Sequence, residues 1–339
     1  MIRRIVVLSL VLALLLFSSL VGYSAALPDA ASPVPNGLSF SATEIDTSDD
    51  PDTSSFTDVP ATHPYRAQIA TLASQGIISG YGDGRFGPDN VLTRQQFAKM
   101  IVRALDLPVT TNDICPFGDV ESNLDPNDPL YPNHYVAVCA AEGITIGKTP
   151  SHFAPYENIA RQQLITMVTR AAILPEPPFD HVPSFGSEQF GLQEHYLNAC
   201  KADYHGLLSG IEGLDSEFNF MAPATRGEVC VLLYNLMNSE LAAEGRGVRD
   251  AIKETLEPDS FNFMVIRVYY SGSWAGAGIM PINAGIDPSR FLLSKDTDGW
   301  TVVDYGTDQT VEDWIAQGAP EDLAEWLDSG LWCDEGAVG

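Results

Sequence analysis

Three stretches of the chain share one apolar spacing. Phe97, Met100, Ile101, Ala104 and Leu105 recur at the three- and four-residue intervals of an amphipathic helix. Leu164, Met167, Val168, Ala171 and Ala172 match them position for position, and Val229, Leu232, Leu233, Leu236 and Met237 do so a third time. A unit with such a face cannot bury it alone, so three copies predict a repeat architecture in which the copies stack on one another.

An arginine opens each of these helices, in Thr93-Arg94-Gln95-Gln96, Ala160-Arg161-Gln162-Gln163 and Thr225-Arg226-Gly227-Glu228. The first and third read as capping boxes, in which the threonine oxygen accepts from the start of the helix while Gln96 or Glu228 reaches back. Ala160 has no such oxygen, a loss of about 1 kcal/mol unless Asn158 takes the role. A cation in the first turn faces the positive end of the helix dipole, at a cost of roughly a few tenths of a kcal/mol. Three copies that accept this cost imply work for the guanidinium: a two-pronged grip on a carboxylate, either of a ligand or of a neighbouring repeat. Upstream, a first helix in each unit ends near a glycine, at Gly76-Ile77, Gly143-Ile144 and Gly206-Leu207, with Gly76 placed as a helix C-cap. Between the first two helices, Tyr81-Gly82-Asp83-Gly84-Arg85-Phe86-Gly87-Pro88 is dense in turn formers and predicts a projecting loop.

Beyond the third copy the period changes. Val248, Ile252 and Leu256 mark a short helix, 261–270 is strand-like, and Trp274-Ala275-Gly276-Ala277 follows a Ser-Gly turn. Arg290 to Leu293 and Trp300 to Val303 read as a hairpin joined through Asp296-Thr297-Asp298-Gly299. A last helix starts at Pro320 and sets Leu323, Trp326 and Leu327 on one face. Together these predict a small α+β domain over 245–333, with Trp274, Trp300, Trp314 and Trp326 either in its core or along a groove.

A length of 339 residues suits two or three domains, and 45% hydrophobic against 19% charged residues describes a folded chain. Eighteen Lys and Arg against 45 Asp and Glu leave a formal charge of -27. That balance repels nucleic acid and anionic lipid, and any anionic ligand would need local cations such as the three arginines. Arg3 and Arg4 precede an uncharged apolar run, Ile5 to Phe17, and small residues up to Ala25-Ala26, which is the plan of a secretory signal. Residues 1–25 are therefore read as a signal peptide, an uncleaved anchor being the alternative, and 26–55, rich in Ser, Thr, Pro and Asp, as a disordered tether. In an exported chain five cysteines favour disulfides over metal ligands. Cys115 with Cys139 and Cys200 with Cys230 would each close a loop within one copy and leave Cys333 odd, although spacing does not fix connectivity.

The first copy, with Phe56-Thr57-Asp58-Val59-Pro60, His63, Gly76 to Gly84, Phe86, Pro88 and Thr93-Arg94, resembles the S-layer homology repeat. The second, from Phe117-Gly118-Asp119-Val120, keeps His134-Tyr135, Gly143-Ile144, Phe153, Pro155 and Arg161 but lacks the tyrosine-glycine loop. The third keeps His195-Tyr196, Leu208-Ser209-Gly210, Phe218, Pro223 and Thr225 to Glu228, and opens at Phe179 or Phe185. The resemblance implies repeats at 56–110, 111–175 and 176–242, folded as a mainly α, pseudo-three-fold, three-pronged spindle of helix-loop-helix units. It also implies a secreted protein of the cell wall or surface, free of the membrane after signal cleavage. Such proteins bind an anionic secondary cell-wall polysaccharide or another peptidoglycan-linked polymer in grooves between the prongs. By matching position, Arg94, Arg161 and Arg226 become the glycan-binding residues, with Asp58 and Asp119 as groove or arginine-orienting partners. Tyr65, Tyr135 and Tyr196 replace the family's usual tryptophan beside the histidine, and either stack on sugar or half-bury at a helix start.

His63, His134 and His195 recur once per copy, a placement that suits capping or packing rather than a shared metal site. No histidine follows His205, so the C-terminal domain holds no Ser-His-Asp triad, Cys-His pair or histidine metal site. The sequence thus describes a non-catalytic anchoring protein that needs no cofactor or metal. The competing reading is a secreted hydrolase, with a carboxylate pair such as Asp304 and Asp308, or a protein-binding module, in either case carried by the C-terminal domain on a purely structural spindle. Mass spectrometry of the natively exported protein is expected to find an N-terminus near Ala26. An intact Met1 on membrane-bound material would contradict the reading of the leader.

Overall fold

The structure, a computed structural model, describes residues 56–256, 261–282 and 287–330; the expected signal peptide and tether lie outside them, as does Cys333. Seven helices come first: α1 (Arg66–Ser74), α2 (Arg94–Ala104), α3 (Asn133–Ala141), α4 (Arg161–Ala172), α5 (Gln193–Tyr204), α6 (Arg226–Met237) and α7 (Glu240–Thr255). Strands β1 (Asn262–Ser271), β2 (Trp274–Ile282), β3 (Ser289–Lys295) and β4 (Trp300–Gly306) follow, then α8 (Val311–Ala316) and α9 (Glu321–Asp328). No described helix is long and apolar enough to cross a membrane.

The predicted apolar stripes lie on α2, α4 and α6, and every stripe residue except Leu105 and Met237 is buried in one continuous core. Helix α6 touches both α2 and α4 along these faces. The first helices pack mainly across copies: α3 lies on α2, α5 on α4, and α1 on α6. Each copy thus lends its first helix to the copy before it, and the third copy closes back on the first. Each first helix also ends alike. Gly76, Gly143 and Gly206 take positive φ of 71°, 69° and 75°, where a side chain would be strained. The next N–H reaches back five residues, Ile77 N to Leu72 O at 3.0 Å, Ile144 N to Cys139 O at 2.9 Å and Leu207 N to Ala202 O at 2.8 Å. The reversal drops Ile77, Ile144 and Leu207 into the core.

The C-terminal part is an antiparallel meander in the order β1-β2-β3-β4. Val248 and Ile252 of α7 pack with Phe263, Val268, Phe291 and Leu293 on one face. Trp314 of α8 and Leu323 and Leu327 of α9 pack with Leu292 on the other. Trp314 is therefore core. Helix α7 is longer than the short helix its apolar positions predict, because Ser239 caps it, Oγ accepting from Ala242 N at 3.1 Å. Its first turns join the repeat core through Ala242 and its later ones the sheet core through Val248. Helix α8 escapes the period argument because it is only six residues long, although Thr310 and Asp313 cap it reciprocally.

Where the two parts meet, buried Arg249 of α7 pairs with Glu142, donates Nη2 to Ala141 O at 2.8 Å and lies over Phe263. Gly245 lets α7 approach the end of α4, since a Cβ there would stand 2.6 Å from Ala172 O and also clash with Ile173 O. Gly to Ala inside a helix ordinarily gains about 1 kcal/mol. Here the backbone cannot yield, so Gly245→Ala is expected to lose about 1–3 kcal/mol, seen as a lowered Tm in thermal melts.

Candidate functional site at the repeat joints

In each copy a loop phenylalanine stands eight residues before the helix-opening arginine, at Phe86, Phe153 and Phe218. The copy's opening segment fixes that loop. Asp58 accepts from Phe86 N at 2.8 Å and Gly87 N at 2.7 Å, and Asp119 accepts from Phe153 N and Ala154 N at the same two distances. The third copy has no aspartate there. Instead Gln189 Nε2 donates to Phe218 O at 2.8 Å. Its opening phenylalanine is Phe185, buried against Phe220, whereas Phe179 is exposed.

Each arginine reaches into the loop of the following copy, and the third reaches the first. Arg94 donates Nε to Phe153 O at 2.7 Å with its guanidinium over the Phe153 ring, and Nη1 contacts Gln163 Oε1 at 3.3 Å. Arg161 lies over Phe218, donates Nη1 to Asn219 O at 3.2 Å, and grips Glu228 through Nε at 3.0 Å and Nη2 at 2.6 Å. Arg226 lies over Phe86, donates Nε to Phe86 O at 2.9 Å and Nη2 to Ser79 O at 2.8 Å, and faces Tyr81. A guanidinium on an aromatic face gains cation–π attraction while its N–H groups satisfy loop carbonyls.

The helix starts are satisfied across the same joints. Arg94 N and Gln95 N donate to Glu157 O and Pro155 O, Arg161 N and Gln162 N to Ala222 O and Phe220 O, and Arg226 N and Gly227 N to Asn90 O and Pro88 O. These are donors that side-chain caps ordinarily serve. The predicted capping box is complete only at Thr225, whose Oγ1 accepts from Glu228 N at 3.2 Å. At Thr93 only half of it forms: Gln96 Oε1 accepts from Thr93 N, while Thr93 Oγ1 is buried without a partner. Ala160 forfeits little, because the neighbouring repeat supplies the acceptors.

Accessibility divides the predicted site residues. Arg94 is only 4% exposed, and burial lowers its pKa to about 10 against the pull of Glu157 and Asp119. Arg161 and Arg226 are half-buried. Tyr65 and Tyr135 are buried and offer no ring face to a sugar. Tyr65 packs against Gly227, where a Cβ would stand 2.7 Å from its ring, and its OH accepts from Glu212 N at 3.0 Å; Tyr135 donates to Asp128. Tyr196 is half-buried against Phe185 and Phe190.

The two expected disulfides are absent: Cys115, Cys139, Cys200 and Cys230 are free thiols. Cys139 Sγ donates to Ala98 O of α2 at 3.6 Å and Cys115 Sγ to Phe117 O at 3.8 Å. Burial pushes the Cys139 thiol far up and the Cys230 thiol to about 12, so both act as small core residues. The repeated histidines serve locally, His63 Nδ1 accepting from Tyr65 N, His134 meeting Asp113 O and His195 meeting Thr166 Oγ1. No group of metal-ligating side chains gathers among the described residues.

Residues 55–98 match the family model of the S-layer homology domain, from the opening of the first copy into α2. The chain carries an S-layer homology domain. An endoglucanase of Bacillus sp. (strain KSM-635) is 34% identical over 116 residues, 34% of this chain and 11% of that protein. The S-layer protein EA1 of Bacillus anthracis is 30% identical over 117 residues, 34% of this chain and 13% of the relative. A cellulosome-anchoring protein of Acetivibrio thermocellus is 26% identical over 116 residues, 34% of this chain and 25% of the relative. The chain thus spans only a small part of the relatives it matches. With its S-layer homology domain it is a secreted protein of the cell surface or wall.

The loop phenylalanines and Glu228 were missing from the site predicted by sequence. The constant interval of eight residues from phenylalanine to arginine was the available signal. The aspartates give the first two copies an acid limit. Burial pushes the carboxyls of Asp58 and Asp119 up, but the paired backbone N–H groups, with Arg85 at Asp58 and His152 at Asp119, hold both below the usual range. A carboxyl whose folded pKa is below its unfolded value stabilises above the unfolded pKa and loses that contribution as pH falls through the folded one. Melting temperature is therefore expected to fall below about pH 4. Asp119→Asn should lower Tm at neutral pH and flatten that acid limb, and an undiminished limb in the variant would count against this role.

Proposed function

We propose that the closed three-copy arrangement is the pseudo-three-fold spindle of an S-layer homology triplet. In this reading it anchors the protein non-covalently to an anionic secondary cell-wall polysaccharide and has no catalytic role. The observation that carries the proposal is the S-layer homology match at 55–98 together with a guanidinium at each of three corresponding joints. Relatives named as S-layer, middle cell wall and cellulosome-anchoring proteins support an anchoring role. The grooves lie where an arginine of one copy meets the loop of the next, with Asp58 and Asp119 holding those loops in place. The signal peptide delivers the chain, and 26–55 tethers the spindle. The C-terminal meander, covered by helices on both faces, is a structural or partner-binding module in this account.

Full-length mature protein should sediment with purified cell walls and stay in solution once the secondary polymer has been stripped from the peptidoglycan. Unchanged sedimentation with stripped walls would transfer the role to peptidoglycan, and no sedimentation with either would end the anchoring reading.

A further inference from the structure

The arginines that open α2, α4 and α6 stand at one end of those helices. At the other end, the C-terminal ends of α2, α3 and α4 meet α7 around a cavity of about 130 Å³. Three arginines line it, Arg170 from α4 and Arg246 and Arg249 from α7, against two carboxylates, Glu142 and Asp250. Two of these cations have partners. Arg170 pairs with Glu194, which does not line the cavity, and Arg249 with Glu142, which Lys253 also holds at 2.9 Å. Arg246 differs. Its Nη1 is buried with no hydrogen-bond partner among the described residues, and Asp250, four residues on, attracts it without forming an ion pair. Arg249 is only 4% exposed, and its Nε is likewise buried without a partner. Being three residues apart on one helix, the two guanidiniums share a face. Cations near helix C-termini ordinarily serve the last carbonyls. Arg249 does so at Ala141 O, but no carbonyl receives Arg246 Nη1.

We infer that this cavity binds a free small oxyanion, of the size and charge of inorganic phosphate or sulfate, held by Arg246 Nη1 and Arg249 Nε. A buried N–H without an acceptor is costly, and more so on a charged group. The cavity has room for several waters or for one tetrahedral ion in their place. An oxyanion offers acceptors on several corners, so it serves two guanidiniums at once and with charge-assisted bonds that water cannot equal. Burial lowers the Arg246 pKa against the pull of Asp250, and an anion beside the guanidinium offsets that cost. In a chain of net charge -27, a local surplus of cations is what admits an anion. Bound there, the ion ties α7, which carries the sheet, to the ends of three repeat helices, so its occupancy stabilises the junction of the two parts.

The test is isothermal titration calorimetry of the full mature chain with inorganic phosphate and, separately, sulfate, at an ionic strength held constant with sodium chloride. One site per chain is expected. These ions also raise Tm by exclusion from protein surfaces, so binding heat and stoichiometry decide, not the melt. Arg246→Gln should weaken binding at least about tenfold, the loss of a hydrogen bond to a charged group. Asp250→Asn removes the carboxylate that competes for Arg246 and should tighten binding about threefold. Residue 250 is exposed, so this second variant decides the matter if the arginine variant fails to fold. Wild-type protein that takes up neither ion would overturn the inference, and so would an affinity unchanged in both Arg246→Gln and Asp250→Asn. Either result leaves the anchoring reading as it stands, since Arg94, Arg161 and Arg226 do not line this cavity.

Discussion

The contact on which the repeat domain depends is an arginine at the start of one helix laid on a phenylalanine of the next copy, with the same loop accepting the helix's first backbone N–H groups. Buried cations and open helix ends are each costly alone. Here one supplies what the other lacks. The loop carbonyls that receive Arg94, Arg161 and Arg226 lie beside those that receive the backbone donors. Asp58 and Asp119 in turn hold the phenylalanine N–H, so the joints of Arg226 and Arg94 are short relays from carboxylate to loop backbone to guanidinium, while at the Arg161 joint Gln189 holds the loop instead. The apolar stripes of α2, α4 and α6 supply the driving force for assembly, and the polar relays fix which copy sits beside which.

Much of this was legible in the sequence because it has a period. The helical faces recur at three- and four-residue spacing, and burial follows them closely. The glycines after the first helices announced reversals that the structure forms at Gly76, Gly143 and Gly206. The C-terminal strands were readable from β-branched and aromatic runs broken by turn residues, and the described sheet is the hairpin succession those runs suggest.

The pairing of helices across copies left no mark in any local pattern. A stripe on α1 says that it packs, not that its partner lies far along the chain on α6. Capping was overread for the same reason, since Thr93-Arg94-Gln95-Gln96 fits a local rule while its donors are satisfied by residues 155 and 157. Tyr65 and Tyr135 were ambiguous because a tyrosine serves a sugar face and a half-buried hydroxyl equally well, and only tertiary context turned them inward. The cysteines illustrate the limit of arguing from compartment. Cys139 lies against the backbone of α2 and Cys115 against a loop carbonyl, and nothing in their spacing shows which way they point.

The closure of α1 on α6 sets an order of events for a chain that is synthesised from its N-terminus. Residues near Tyr65 and Phe86 come first, yet Gly227 and Arg226, which seat them, come 162 and 140 positions later. Contacts of such long separation form slowly because the intervening loop must be ordered before they reward it. Until α6 emerges, the first copy has its second helix in place beneath α3 but its own first helix without a seat. The earliest part of the domain to be delivered is therefore the last to be secured.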